Sequence, residues 1–297
     1  MTTTILGPAH PAFGADATSN ELPLLDSTLH WVEHGEGDPV VLLHGNPTSS
    51  FLWRHVFARL RGHGRLLAPD LIGFGRSGKP AIDYDLADHQ RYLDAWLDAL
   101  DLRDATLVLH DYGALFGLDW ARRNDDRVAR VVLLEPVLRS IDSRDLPEPV
   151  RAWRAIVTRP GDGERFVLDD DRFLGELFPA SFAEPLAPED LEQHRAPFPT
   201  PESRRPVLVF PRALPVDGRP ADTIERIDRN AAWLVASATP KLLLTFEPGA
   251  LLTPRILAWA REHVRALEIR PAGRGGHFVQ EEEPEAIATA ITDWIGR

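Results

Sequence analysis

No cysteine occurs in this chain of 297 residues. That excludes disulfides, a thiolate nucleophile and cysteine-held zinc or iron–sulfur centres, and it leaves the redox compartment open. Long apolar runs are missing too. Nothing approaches the ~18 residues that cross a bilayer, and residues 1–23 carry neither a basic start nor a signal-like apolar run. Basic residues are in deficit: 33 Lys and Arg stand against 45 Asp and Glu, a formal net charge of −12. No basic cluster interrupts that balance, so neither nucleic acid nor an anionic membrane is a suitable partner. These absences make a soluble cytoplasmic protein the expectation, as monomer or homodimer, with no metal and no cofactor. Tyrosine is also scarce, with only Tyr84, Tyr92 and Tyr112.

What is present alternates. Val40–Leu43 and Arg65–Ala68 read as short buried strands, and residues 49–60 have helical spacing between them. Leu93, Trp96, Leu97 and Leu100 share one side of an amphipathic helix over 86–100. A strand ending near Asp111 follows, then a helix through Trp120 and a strand over Val131–Leu134. This βαβ order predicts an α/β fold, a mostly parallel sheet covered by helices on both faces. From 137 to 220 the pattern breaks into Pro-, Arg- and Asp-rich sequence with short helical pieces and no clear strand, as an inserted helical cap would read. Alternation resumes with strands at 241–246 and 267–269, a helix near 256–264 and a last helix over 284–294. The predicted division is a surface extension over 1–23, a main domain over 24–136 and 221–297, and the cap between.

The chemistry centres on Asp111. Residues 105–114 read as an apolar strand, a tight turn and a helix start. That turn resembles the nucleophile elbow of α/β-hydrolases, usually G-x-S-x-G, with an aspartate in the serine's place. A serine needs a base to remove its proton, whereas a carboxylate is already an anion and attacks directly to form an ester. The expected substrate therefore shifts from acyl compounds to carbons bearing a leaving group or a strained ring. A strand-end Asp is often only a helix cap, but Gly113 and Gly117 weaken that helix start and suit close approach instead. His44-Gly45-Asn46-Pro47 and the glycine-rich loop holding His277 also fall at carboxyl ends of strands, where sites of open parallel sheets form.

The runs LHGNPTSSFLWR (43–54), APDLIGFGRSGKP (68–80), LHDYGALFGLDWARRNDDRV (109–128) and PKLLLTFEPGALLTP (240–254) resemble the haloalkane dehalogenase family of α/β-hydrolases. The branch suggested places its catalytic acid, a Glu, after the sixth strand. The resemblance extends from about residue 20 over nearly the whole chain. It implies hydrolysis of a haloalkane to a primary alcohol, halide and a proton. Asp111 would displace halide, His277 would activate water against the alkyl ester, and Glu135 would orient His277. Backbone N–H groups of Asn46 and Tyr112 would form the oxyanion hole, and the Asn46 amide would donate to the leaving halide. Glu247, near a later strand, is the rival acid, although Gly249 occupies about the position an acid would need there.

Tyr112 departs from the family, which usually has Trp after the nucleophile. Its phenol is a neutral donor on a long aromatic body, and the expectation is that it binds halide beside Asn46. Phe173, Phe178 and Phe182 are candidate pocket residues of the cap. An epoxide hydrolase shares the Asp–His mechanism, but it needs acids in the cap, and all three tyrosines precede it. A luciferase-like cofactor-free oxygenase and a silent receptor on the same scaffold are the other readings. Gly73–Lys79 matches G-x-G-x-x-G, yet Pro80 follows where a phosphate-binding helix should begin.

Overall fold

A computed structural model describes residues 2–296. Its sheet has nine strands: β1 (Thr4–Pro8), β2 (Thr18–Leu24), β3 (Ser27–His34), β4 (Pro39–Leu43), β5 (Arg65–Pro69), β6 (Ala105–Asp111), β7 (Val128–Pro136), β8 (Lys241–Pro248) and β9 (Leu267–Gly275). The spatial order is β1-β2-β3-β5-β4-β6-β7-β8-β9. Strands β1, β2, β3 and β5 pair antiparallel, and from β5 to β9 every pair is parallel.

The central strands look uniformly apolar because both faces are covered, yet their two-residue period sorts the side chains into two cores. Val41, Leu43, Leu107, Leu109, Val131, Leu133 and Leu243 belong to one. The helices on that face are α2 (Leu86–Ala99) and α3 (Tyr112–Arg123), whose Leu93 and Phe116 join the same core. Val40, Leu42, Val108, Val132, Leu134, Leu242 and Leu244 face the other way. There they meet Phe57 of α1 (Arg54–Leu60) and Ile287 of a C-terminal helix over Pro284–Ile295.

Between β7 and β8 the chain runs through α4 (Glu148–Val157), the single turn α5 (Asp162–Glu164), α6 (Pro188–Arg195), α7 (Arg205–Ala213) and α8 (Ala221–Ala236). Only isolated bridges at Ile141, Val216 and Arg219 have extended pairing in this stretch. Helix α8 packs back on α3, where the Asn230 amide donates to the Leu115 carbonyl at 2.9 Å. The remaining helices are α9 (Pro254–His263), the single turn α10 (Val279–Glu282) and the C-terminal α11 already placed.

One expectation is corrected here. The stretch expected to be a surface extension joins the main sheet, because β1 and most of β2 lie within residues 4–23. The signal was weak. Strand β1 is largely exposed, and Pro23 interrupts the run in β2. Leu25 at φ 54° makes the tight turn that closes the β2–β3 hairpin without the glycine or asparagine that usually marks one.

Candidate active site

Asp111 ends β6 and opens α3 at φ 51°, ψ −124°, a backbone conformation costly for a side chain and held by close packing around it. That packing requires glycine on both sides. A Cβ on Gly113 would lie 2.4 Å from the Leu43 carbonyl oxygen, and one on Gly45 2.2 Å from Asp111 Oδ2. The loop after β4 thus presses against the carboxylate, and the Asn46 N–H donates to Oδ2 at 2.8 Å. Burial pushes the Asp111 carboxyl above its ordinary value. His277 and the backbone N–H groups of Asn46 and Tyr112 pull the other way. Oδ2 is bound by backbone, and Oδ1 is left towards His277 Nε2 at 3.7 Å.

His277 sits in the loop between β9 and α10. Its Nδ1 is 3.8 Å from Glu135 Oε2, an ion-pair separation rather than a hydrogen bond. Burial lowers the tendency of His277 to hold a proton, but Glu135 and Asp111 outweigh it, so its pKa is raised. Glu135 is itself buried, near the end of β7 at φ 40°. Its Oε2 accepts from the N–H groups of Ala250 and Leu251 at 2.8 and 2.7 Å. The loop after β8 therefore contributes backbone donors rather than an acid, while Glu247, near the end of β8, is exposed.

Two residues here were missed in the sequence. His110 lies one position before Asp111, and strand alternation sends its side chain to the opposite side. Its Nε2 is 2.8 Å from the His277 carbonyl oxygen. Burial, with His277 beside it, drives its pKa far down, so it is a neutral ring donating one N–H to the loop that carries His277. The second is Phe210 of α7. The ring of Tyr112 stacks on it at 4.5 Å, and the Tyr112 hydroxyl donates to the Phe210 carbonyl at 2.6 Å. Helix α7 ends at Ala213, so that carbonyl has no partner in its own helix. Arg154 of α4 satisfies the next one, on Pro211, at 2.8 Å. The phenol expected to face a halide directs its single proton in this structure to a cap-domain helix end, while its ring lines the cavity. No sequence signal announces this, because the partner lies 98 residues away.

Above Asp111 lies a cavity of about 390 Å³. Asn46, Asp111, Tyr112 and His277 form its floor, and Leu146, Val150, Trp153, Phe173, Phe178 and Phe210 are among its cap walls. Asn46 Oδ1 is buried without a partner, so the amide is not tied down through its oxygen. Phe173 and Phe178 line the cavity as expected, but Phe182 does not. It packs behind, 5.1 Å from both the Phe178 and Phe278 rings. No Asp, Glu, Lys, Arg, His or Tyr of the cap lines the cavity among the described residues. Neither a candidate metal cluster nor a helix long and apolar enough to cross a membrane occurs among them.

A buried strand-end carboxylate, a histidine and a glutamate grouped at the carboxyl ends of this parallel sheet are the arrangement expected of a hydrolase of the α/β type. The chain matches the family model of the alpha/beta hydrolase fold over residues 38–234. A haloalkane dehalogenase of Agrobacterium fabrum is 58% identical over 288 residues, covering 97% of this chain and 95% of that protein. Another, of Mesorhizobium japonicum, is 42% identical and covers 97% and 94% of the two chains. The crystal structure of the haloalkane dehalogenase DatA of Agrobacterium tumefaciens superposes with a TM-score of 0.96 at 58% identity, covering 97% of this chain and 99% of that one. The chain belongs to the haloalkane dehalogenase family, hydrolases of carbon–halide bonds.

Proposed function

We propose that this chain cleaves haloalkanes in two steps on Asp111, releasing a primary alcohol, halide and a proton. The observation that carries the reading is the Asp111 carboxylate, held through Oδ2 by backbone N–H at the floor of an apolar cavity. Oδ1 attacks the halogen-bearing carbon from behind and halide leaves. The Asn46 side-chain amide, in the cavity wall, donates to the departing ion. Oδ2 then becomes the ester carbonyl oxygen, and the N–H groups of Asn46 and Tyr112 stabilise the charge it gains when water adds. His277 takes the proton of that water. Glu135 and Asp111, which already raise its proton affinity, favour the imidazolium as it forms.

Halide departs as a stable anion and needs no acid. An opening epoxide does need one, and the cap offers no ionisable group to the cavity. The substrate is therefore a small halogenated alkane, with water as co-substrate. Asp111→Asn should release no halide from brominated or chlorinated alkanes, because an amide cannot form the ester. Sustained turnover by that variant, with mass spectrometry showing the Asn intact, would overturn the assignment.

A further inference from the structure

A second cavity, of about 530 Å³, opens between the segment joining β1 and β2, strands β2 and β3, the loop after β5, the segment before α1 and the end of α6 in the cap. Three side chains on its wall form a relay. Ser19 Oγ lies 2.7 Å from His30 Nε2, and His30 Nδ1 lies 2.7 Å from Asp70 Oδ2. They come from β2, β3 and the loop after β5, and nothing in the dehalogenation chemistry uses them.

The proton positions follow from the partners. Asp70 accepts the Ser50 N–H at Oδ1 (2.7 Å) and the Arg76 N–H at Oδ2 (2.8 Å). Burial alone would raise its carboxyl, but His30 and these donors carry it far below the ordinary range. An ionised Asp70 accepts only, so the proton between it and His30 sits on Nδ1, and in the neutral ring it is Nε2 that presents a lone pair. Arg76 Nη1 donates to Ser19 Oγ at 2.8 Å. With Nε2 as the acceptor, the 2.7 Å contact is a Ser19 O–H donating to His30. A serine, a histidine in the accepting tautomer and a buried carboxylate that fixes the tautomer is the arrangement that activates a hydroxyl for attack. Ser19 is 1% exposed, comparable with 4% for Asp111, so its burial is like that of the nucleophile in the first cavity. The neighbouring wall is apolar at Phe13, Val32 and Phe51.

We propose that Ser19, His30 and Asp70 form a second hydrolytic centre, which cleaves small neutral carboxylic esters with an apolar acyl group. Ser19 Oγ bonds to the acyl carbon as its proton passes to His30 Nε2, and the Arg76 guanidinium faces the oxyanion. The C–O bond to the alcohol breaks, and the leaving oxygen takes the proton from His30. Water then gives a proton to His30 and its oxygen to the acyl carbon. The acid leaves, and Ser19 recovers its proton. Ester and water become acid and alcohol, with no other reactant.

The test uses the Asp111→Asn protein, so that no ester is turned over at the first site. It is treated with 4-nitrophenyl acetate, and separately with an alkyl fluorophosphonate, and adducts are mapped by peptide mass spectrometry. Stoichiometric modification of Ser19 is expected. Adding His30→Gln should slow it by about a hundredfold or more, the usual worth of a general base. Ser19→Ala with Asp111 intact should release halide at the unaltered rate, which also shows that the variant folds. No adduct on Ser19, or equal labelling with and without His30, would overturn the proposal. Ser19 labelling in the Asp111→Asn protein stands even if the His30→Gln variant misfolds.

Discussion

Removing the Tyr112 hydroxyl separates two roles that the sequence alone does not distinguish. In Tyr112→Phe the ring and its stack on Phe210 remain, and only the donor to the Phe210 carbonyl is lost. That carbonyl is at a helix end, and Phe210 is fully buried, so water cannot readily replace the phenol. An abandoned buried acceptor costs about 1–3 kcal/mol. At ~2 °C per kcal/mol for a chain of this size, thermal unfolding should move down by about 2–6 °C. Burial holds the phenol neutral by raising its pKa well above the ordinary value, so this loss should not vary across the working pH range. The displacement step should change little, since no proton aimed at the halide is removed. A halide-binding phenol would behave in the opposite way. Losing a hydrogen bond to an ion, worth about 1.5–3 kcal/mol, would slow displacement roughly ten- to a hundredfold. Differential scanning fluorimetry, single-turnover halide release and bromide inhibition together decide. Unchanged unfolding with displacement slowed tenfold or more would refute the helix-cap argument.

His277→Phe should stop only the second step, giving a burst of about one halide per chain and an alkyl adduct on Asp111; its absence in mass spectra would remove His277 as the base. Glu135→Gln should slow ester hydrolysis and lower the pKa of His277, because a carboxylate that raises it is gone. As the base works neutral, the acidic limb of the pH–rate profile should shift to lower pH, and a shift upward would contradict the pairing. Glu247→Gln, at an exposed position that does not line the cavity, should leave both rate and profile unaltered. Gly45→Ala should abolish halide release, since its Cβ would fall 2.2 Å from Asp111 Oδ2; near-normal turnover would show that the loop yields.

The sequence disclosed what chemistry or steric necessity dictates locally. Asp111, Glu135 and His277 stand out because a buried strand-end carboxylate and a glycine-flanked histidine need a reason, and the structure brings all three together. The alternation of apolar runs disclosed the parallel half of the sheet for the same reason. The N-terminal strands stayed hidden because β1 buries little and so shows no pattern. Which cap phenylalanines reach the cavity was equally illegible: Phe178 and Phe182 are four residues apart and both pack against Phe278, yet only Phe178 lines the wall. The destination of the Tyr112 proton depends on how α7 lies across the elbow, which no local spacing encodes.

The backbone donors of Ala250 and Leu251 have a wider consequence. They come from the loop after β8, yet they grip a carboxylate carried by β7. A Cβ on Gly249 would come within 2.9 Å of Glu135 Oε1. An acid on that loop and the acid on β7 would therefore compete for one volume beside His277. The scaffold reserves an address for a negative charge and is indifferent to which strand delivers it. Moving the acid from one strand to its neighbour would leave the base, the nucleophile and the cavity where they are, provided the first occupant is removed.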